Sequence, residues 1–125
     1  MSLAPFLIFT GGAAAASAFL LRGVLGVKRA RLVFDNGALV VFRGGLVVTR
    51  DLLRRAGIAP EVLRYVSRRH FEIFWGEGGY RIVDLGSLNG TYLNGVRLKC
   101  MRAYPLNDGD VISIGRVVEA RFYLR

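Results

Sequence analysis

The feature that most constrains this chain is its punctuation. From Arg31 to Leu124 the apolar residues come in short runs, each bounded by turn signals. Arg31–Phe34 and Ala38–Phe42 flank Asp35-Asn36-Gly37, and Leu46–Thr49 follows as a β-branched run. Phe71, Ile73 and Trp75 alternate with Glu72 and Phe74, and Gly76–Gly79 separates that stretch from Tyr80–Leu85. Thr91–Leu93 and Val96–Leu98 flank Asn94-Gly95, Asp108-Gly109 precedes Asp110–Ile114, and Glu119–Leu124 ends the series. Asn-Gly and Asp-Gly are strong hairpin signals because both residues tolerate positive φ. Strands this short and regularly spaced predict an all-β sandwich.

Two segments break the rhythm. Asp51–Tyr65, DLLRRAGIAPEVLRY, has helical spacing in two pieces interrupted by Gly57 and Pro60. It is expected to be a long loop with one or two helical turns, and a loop of that length in a compact β domain is usually functional or mobile. The second is N-terminal: residues 2–21 contain no charged side chain. At about 1.5 Å per residue, a helix of that length spans roughly 30 Å, the hydrocarbon thickness of a bilayer. Arg22, Lys28, Arg29 and Arg31 follow the run, and no Lys or Arg precedes it. A secretory signal wants a positive start, which is missing, although Ala16-Ser17-Ala18 would serve as a cleavage site. A core helix wants a polar stripe, which is missing too. The expectation is one retained transmembrane helix within a segment covering residues 1–29, basic on its juxtamembrane side. The positive-inside rule then places a domain over residues 30–125 on the cytoplasmic side of a single-pass membrane protein.

Charge and ligand chemistry narrow the function. The net charge is +9, and Leu32–Arg125 carries 14 basic against 9 acidic residues. Those bases are scattered, neither clustered on a helix nor interleaved with aromatics, so nucleic acid is not an expected partner. The four positives behind the apolar run suit an anionic leaflet. A single cysteine, Cys100, excludes an intrachain disulfide and fits a reducing compartment. One cysteine and one histidine, His70, cannot make a structural zinc site, and no metal or other cofactor is expected. Ser67, His70 and Asp84 supply the residue types of a catalytic triad. A Ser and a His three apart across a turn-to-strand junction do not face each other reliably, however. Gly86–Gly90 is not G-x-S-x-G, and the chain has no G-x-x-x-x-G-K-[ST] loop. A binding module is expected, with no catalytic residues.

Three pieces carry the remaining chemistry: a strand ending in Val48-Thr49-Arg50; the turn Val66-Ser67-Arg68-Arg69-His70; and DLGSLNGTYLNG, Asp84–Gly95, with its two Asn-Gly pairs. LNDGDVISIG, Leu106–Gly115, follows the last. In this order and spacing, SRRHFEI, DLGSLNGTYLNG and LNDGDVISIG resemble a forkhead-associated (FHA) domain, over Ala30 to Arg125. The resemblance implies a β-sandwich of about eleven strands whose loops at one end bind phosphothreonine peptides. The residue types suit that task. A phosphothreonine carries nearly two negative charges and three acceptor oxygens, and capturing it takes charge-assisted donors, preferably Arg, beside neutral hydroxyl and backbone donors.

Carried over residue by residue, the resemblance implies that Arg50 grips the phosphate and that the Ser67 hydroxyl bonds a phosphate oxygen. It implies that Arg68 adds a second cationic contact and that Asn89 bonds the peptide backbone. Arg69 and Leu88, beside these positions, complete the expected phosphopeptide-binding set. His70, Gly90, Thr91 and Asn94 would brace the binding loops. There are two departures: Thr49 stands where the family usually has Gly, removing backbone latitude before Arg50, and Leu88 stands where some members place a polar phosphate contact. The function expected is a membrane-anchored phosphothreonine-binding module that recruits a threonine-phosphorylated protein, its membrane contact lying in residues 2–21. The alternatives are the same fold as a phosphate-independent assembly scaffold and, from another class, a basic module for nucleic acid or anionic lipid.

Overall fold

The computed structural model describes residues 6–9 and 26–125. Its strands are β1 (Phe6–Phe9), β2 (Arg29–Phe34), β3 (Leu39–Arg43), β4 (Gly45–Thr49), β5 (Arg69–Gly76), β6 (Gly79–Asp84), β7 (Thr91–Leu93), β8 (Val96–Arg97), β9 (Ala103–Pro105), β10 (Val111–Ile114) and β11 (Val118–Leu124). They form a seven-stranded sheet, β1-β3-β2-β11-β10-β7-β8, and a four-stranded sheet, β4-β5-β6-β9. Alternation in the sequence becomes inside and outside in the fold. Ala30, Leu32 and Phe34 of β2, Ile112 and Ile114 of β10, and Val118, Ala120 and Phe122 of β11 are buried on one inner face. Leu46, Val48, Phe71, Ile73, Tyr80 and Ile82 meet them from the other sheet. Full burial of a side chain such as Phe71 or Phe122 contributes about 1.5–3 kcal/mol.

The strands place the connections at two ends. β4 ends at Thr49, β5 starts at Arg69, β6 ends at Asp84, β7 starts at Thr91 and β10 ends at Ile114, so their loops gather at one end. The opposite end is aromatic. Tyr80 makes edge-on contacts with Trp75, Phe42 and Phe122, at centroid distances of 4.9, 5.6 and 5.7 Å. Here β2 begins and β11 ends. Val27 is buried, its carbonyl accepts from Arg43 Nη1 at 2.7 Å, and the Arg125 N–H donates to the Arg29 carbonyl at 2.7 Å.

The long connection between β4 and β5 is packed down. It holds two short helices, α1 (Arg50–Arg55) and α2 (Pro60–Leu63). Thr49 caps α1, its hydroxyl accepting from the Leu52 N–H at 2.9 Å. Leu52, Leu53, Ala56, Ile58, Leu63 and Val66 are all buried. Apolar residues at helical spacing thus fasten the loop to the core rather than leave it free.

Two elements depart from the sequence pattern. β9 has no apolar run to announce it, and it contains Pro105; a proline is tolerated there because β9 is an edge strand, paired only with β6. At the N-terminus, four positions of the expected transmembrane helix are strand instead. Phe6–Phe9 lies parallel to β3, in register from Phe6↔Leu39 to Phe9↔Phe42. The edge of β3 would otherwise present unpaired N–H and C=O groups, and Phe-Leu-Ile-Phe is a good strand sequence. The remaining positions of that expected helix, 2–5 and 10–21, lie outside the described residues. Among the described residues, no helix is long and apolar enough to cross a membrane.

Candidate functional site

The loop end is organised around a buried carboxylate. Asp84 ends β6 and is 3% exposed. Its Oδ1 accepts from the Ser87 hydroxyl at 2.5 Å and the Thr91 hydroxyl at 2.7 Å, and its Oδ2 accepts from the N–H groups of Gly86 and Ser87, each at 3.1 Å. A carboxylate removed from water needs such donors, and four fill most of its lone-pair sites. Asp84 thereby curls the 85–90 loop back on itself and ties it to the start of β7. Ser87 is turned inward by this, so it offers nothing to a ligand.

His70 joins that loop to the preceding one. The Ser67 N–H donates to Nδ1 at 3.1 Å, which fixes the proton on Nε2, and Nε2 then donates to the Gly90 carbonyl at 2.8 Å. Burial pushes the imidazole pKa below its ordinary value, against smaller opposing effects of the Gly90 bond and the Asp84 charge. A neutral ring with both nitrogens bonded to backbone is a strut, with no nitrogen left for proton transfer.

On this frame sit the groups that face solvent. Arg50 opens α1; its N–H donates to the Arg68 carbonyl at 3.0 Å and its Nε to the Val66 carbonyl at 2.8 Å. Both terminal guanidinium nitrogens are without a partner among the described residues, so they are held in place and available. The Ser67 hydroxyl accepts from the Leu88 N–H at 3.0 Å, leaving its own proton to donate elsewhere. Asn89 is half-buried, and its Nδ2 donates to the Tyr65 carbonyl at 3.0 Å, which leaves its side-chain oxygen as an acceptor. Arg68 and Arg69 are exposed, Arg69 at the start of β5 opposite Thr49. Leu88 is 82% exposed and contributes its backbone rather than its side chain. Thr49 has φ of −116°, an ordinary extended value, so glycine is not needed to aim Arg50.

The bracing residues separate into two groups. Thr91 is buried on Asp84, and Gly90, at φ +87°, is clamped by His70 from one side and by the Gly115 N–H, which donates to the Gly90 carbonyl at 2.8 Å, from the other. Asn94 lies at the other end of β7, where it exchanges bonds with Val111 and Asp110 at the start of β10. The structure therefore brings Arg50, Ser67, Arg68, Leu88 and Asn89 together over His70, Gly90 and Thr91, and places Asn94 apart from them. Sequence reasoning weighed Asp84 only as a catalytic acid and missed its structural part. The available signal was the spacing Asp84-x-x-Ser87, where an Asp side chain accepts from the backbone two and three residues on. Arg50, Arg68 and Arg69 form no ion pair: among the described residues the only ion pairs join Asp51 to Arg54 and Arg55 on α1.

What this arrangement offers is two preset guanidinium nitrogens, a hydroxyl proton, a second arginine and an amide oxygen, all at a solvent-facing surface. It is a cradle for a polyanionic group attached to a peptide backbone. Comparison with known proteins points the same way. Residues 58–115 match the family model for the FHA domain. The E3 ubiquitin-protein ligase RNF8 of Homo sapiens is 34% identical over 116 residues, covering 92% of this chain and 23% of that protein. A solved FhaA FHA domain, complexed with the intracellular domain of Rv3910, is 32% identical with a TM-score of 0.58, covering 74% of this chain and 98% of that one. A domain solved for the structural and functional analysis of phosphothreonine-dependent FHA domain interactions is 29% identical with a TM-score of 0.58, covering 78% of this chain and 97% of that one. The chain spans 23% of the human RNF8 and 61% of the oxoglutarate dehydrogenase inhibitor of Corynebacterium glutamicum, to which it is 41% identical over 90 residues.

Proposed function

We propose that this chain, which belongs to the FHA domain family, binds threonine-phosphorylated proteins through Arg50, Ser67 and the Leu88–Asn89 turn. The observation that carries this reading is the pairing at Ser67. Because the Leu88 N–H already occupies the hydroxyl as an acceptor, the Ser67 proton is left to donate beside an arginine whose Nε is tied to Val66. The phosphate would take the terminal nitrogens of Arg50, the Ser67 proton and the charge of Arg68. The peptide backbone would meet the Asn89 side chain. The solved relative from work on phosphothreonine-dependent interactions supports the same ligand class. Calorimetric titration of the full chain with phosphothreonine, phosphoserine and unphosphorylated forms of one peptide library tests it. Phosphate-dependent binding that drops by about 2 kcal/mol, roughly thirtyfold, in Arg50→Ala is expected. Equal binding of phosphorylated and unphosphorylated peptides would instead leave the phosphate-independent scaffold, for which the bare apolar side chain of Leu88 speaks.

The reading extends to a membrane anchor over residues 2–21, supported by the charge-free run and by Arg22, Lys28, Arg29 and Arg31 behind it. Seating Phe6–Phe9 on β3 and burying them in a bilayer are exclusive uses of one segment. Membrane association that resists alkaline carbonate supports the anchor. Complete release by carbonate removes it and leaves the binding reading standing.

A further inference from the structure

A second concentration of cations remains unused by the phosphate cradle. Tyr92 stands on the outer face of the seven-stranded sheet, opposite Arg97 across the β7–β8 pair and Ser113 across the β7–β10 pair. Two guanidinium groups lie against its ring, the Cζ of Arg97 at 5.9 Å and that of Arg116 at 5.1 Å from the centroid. Both arginines are exposed, and neither forms an ion pair with any described residue. Glu119 and Asp35 are the acids nearest Arg116; Glu119 lines two hollows with Ser113 and Arg116 and Asp35 lines one of them, yet neither is paired with Arg97 or Arg116. Arg116 sits at φ +64° beside Gly115 at +60°, as the tight turn between β10 and β11 demands, which fixes where its side chain leaves the backbone.

Position gives the pair its meaning. Arg97 Nε stands 2.8 Å from where a Cβ on Gly90 would be, so its guanidinium rests on the backbone next to Asn89. Arg116 follows Gly115, whose N–H donates to the Gly90 carbonyl and whose own Cβ position is 2.8 Å from the Tyr65 carbonyl oxygen and 3.5 Å from Asn89 Cβ. Tyr65 and Asn89, packed over the buried backbone of Gly90 and Gly115, thus join the phosphate cradle to the two arginines. An extended peptide advances about 3.3 Å per residue, so one whose backbone meets Asn89 carries its neighbouring side chains along that surface. Stacking on Tyr92 orders the guanidinium planes beforehand, which reduces the entropy lost when an anion is gripped.

We propose that Arg97 and Arg116, stacked on Tyr92, form a second anion subsite that reads an acidic or phosphorylated residue flanking the phosphothreonine on the same peptide. This rests on the reading that the chain binds phosphothreonine peptides. The test titrates the full chain with a phosphothreonine peptide flanked only by alanines, then with two series in which glutamate or phosphoserine replaces one alanine at a time. One position, or two neighbouring ones, gains about three- to tenfold in affinity with glutamate and more with phosphoserine. In Arg97→Gln and Arg116→Gln the gain shrinks to about twofold or less, while the alanine-flanked peptide binds as before. Arg97→Lys, which keeps a charge but loses the stacked plane, retains part of the gain. A wild-type series that stays flat at every position overturns the subsite. So does a gain that survives in the Arg97→Gln/Arg116→Gln double variant. If the alanine-flanked phosphopeptide binds no better than its unphosphorylated form, the functional reading itself falls and the subsite falls with it.

Discussion

Asn89-Gly90 and Asn94-Gly95 are the same dipeptide on either side of one short strand, and the fold uses them differently. At the second, both residues have positive φ, 49° for Asn94 and 86° for Gly95, as a two-residue hairpin turn demands. At the first, only Gly90 is left-handed, at 87°, and Asn89 keeps an ordinary backbone while its side chain reaches across to Tyr65. Asn94-Gly95 is a hairpin turn between β7 and β8 whose asparagine side chain bonds the start of the neighbouring strand β10. Asn89-Gly90 is held by partners far away in sequence, namely Tyr65, His70 and Gly115. Identical local chemistry becomes a hinge-point in one place and a displayed surface in the other because of what surrounds it.

Substitution in matched pairs can break this contrast. The largest effect is expected at the carboxylates from which each turn hangs. Asp84→Ala strands four donors in a buried loop and should lower unfolding free energy by about 3 kcal/mol or more, whereas Asp110→Ala, at an exposed pair of bonds, should lower it by about 1 kcal/mol or less in the same urea titration. The glycines come next. A Cβ on Gly90 would lie 2.8 Å from Arg97 Nε and 3.2 Å from Tyr92, whereas one on Gly95 meets nothing within 4 Å. Gly90→Ala should therefore cost about 2 kcal/mol and Gly95→Ala about 1 kcal/mol, the latter from backbone strain alone. The asparagines should split by readout. Asn94→Ala lowers thermal stability by about 1 kcal/mol and leaves phosphopeptide affinity alone, while Asn89→Ala weakens the peptide by about fivefold with a smaller loss of stability. Equal effects of both on binding would mean that the two turns do the same work.

The smallest effect tests the strut beneath the first turn. His70 is held neutral, with its pKa lowered from 6.5 in the fold. The unfolded chain therefore binds that proton first as pH falls, and stability contributed by the neutral ring is present above about pH 6.5 and declines below it. A His70→Gln variant should start less stable and lose this part of the slope between about pH 7.5 and 5.5. Parallel slopes for the two proteins would show that His70 does not titrate over that range.

The sequence made some of this plain. Thr91–Leu93 is bounded as a strand by the two Asn-Gly pairs, and it is β7 without a shift. The pattern also announced one or two helical turns in the long loop, since apolar spacing and the Gly57 and Pro60 interruptions are local signals. β9 was silent because an edge strand of three residues needs little burial, and Ala103 and Pro105 are exposed. The first residues are strand at Phe6–Phe9 where the pattern suggested helix, because an uncharged apolar stretch suits a bilayer and a sheet edge equally well and the edge of β3 takes it here. At the candidate site, the family motif pointed to Arg50, Ser67 and Asn89, which the fold brings to one end, but no local pattern says that Thr91 reaches back seven residues to Asp84. That bond exists because β6 and β7 belong to different sheets whose ends meet at the loop cluster.

Val27 and Arg125 both leave the sandwich at its aromatic end, with Arg125 bonded to Arg29 and Val27 to Arg43. Arg50 and Ser67 lie a full strand away at the other. Anything attached after Arg125 therefore leaves on the side away from Arg50 and Ser67 and does not shade the ligand, whereas β1 opens at Phe6, opposite Leu39, on the side of the loops.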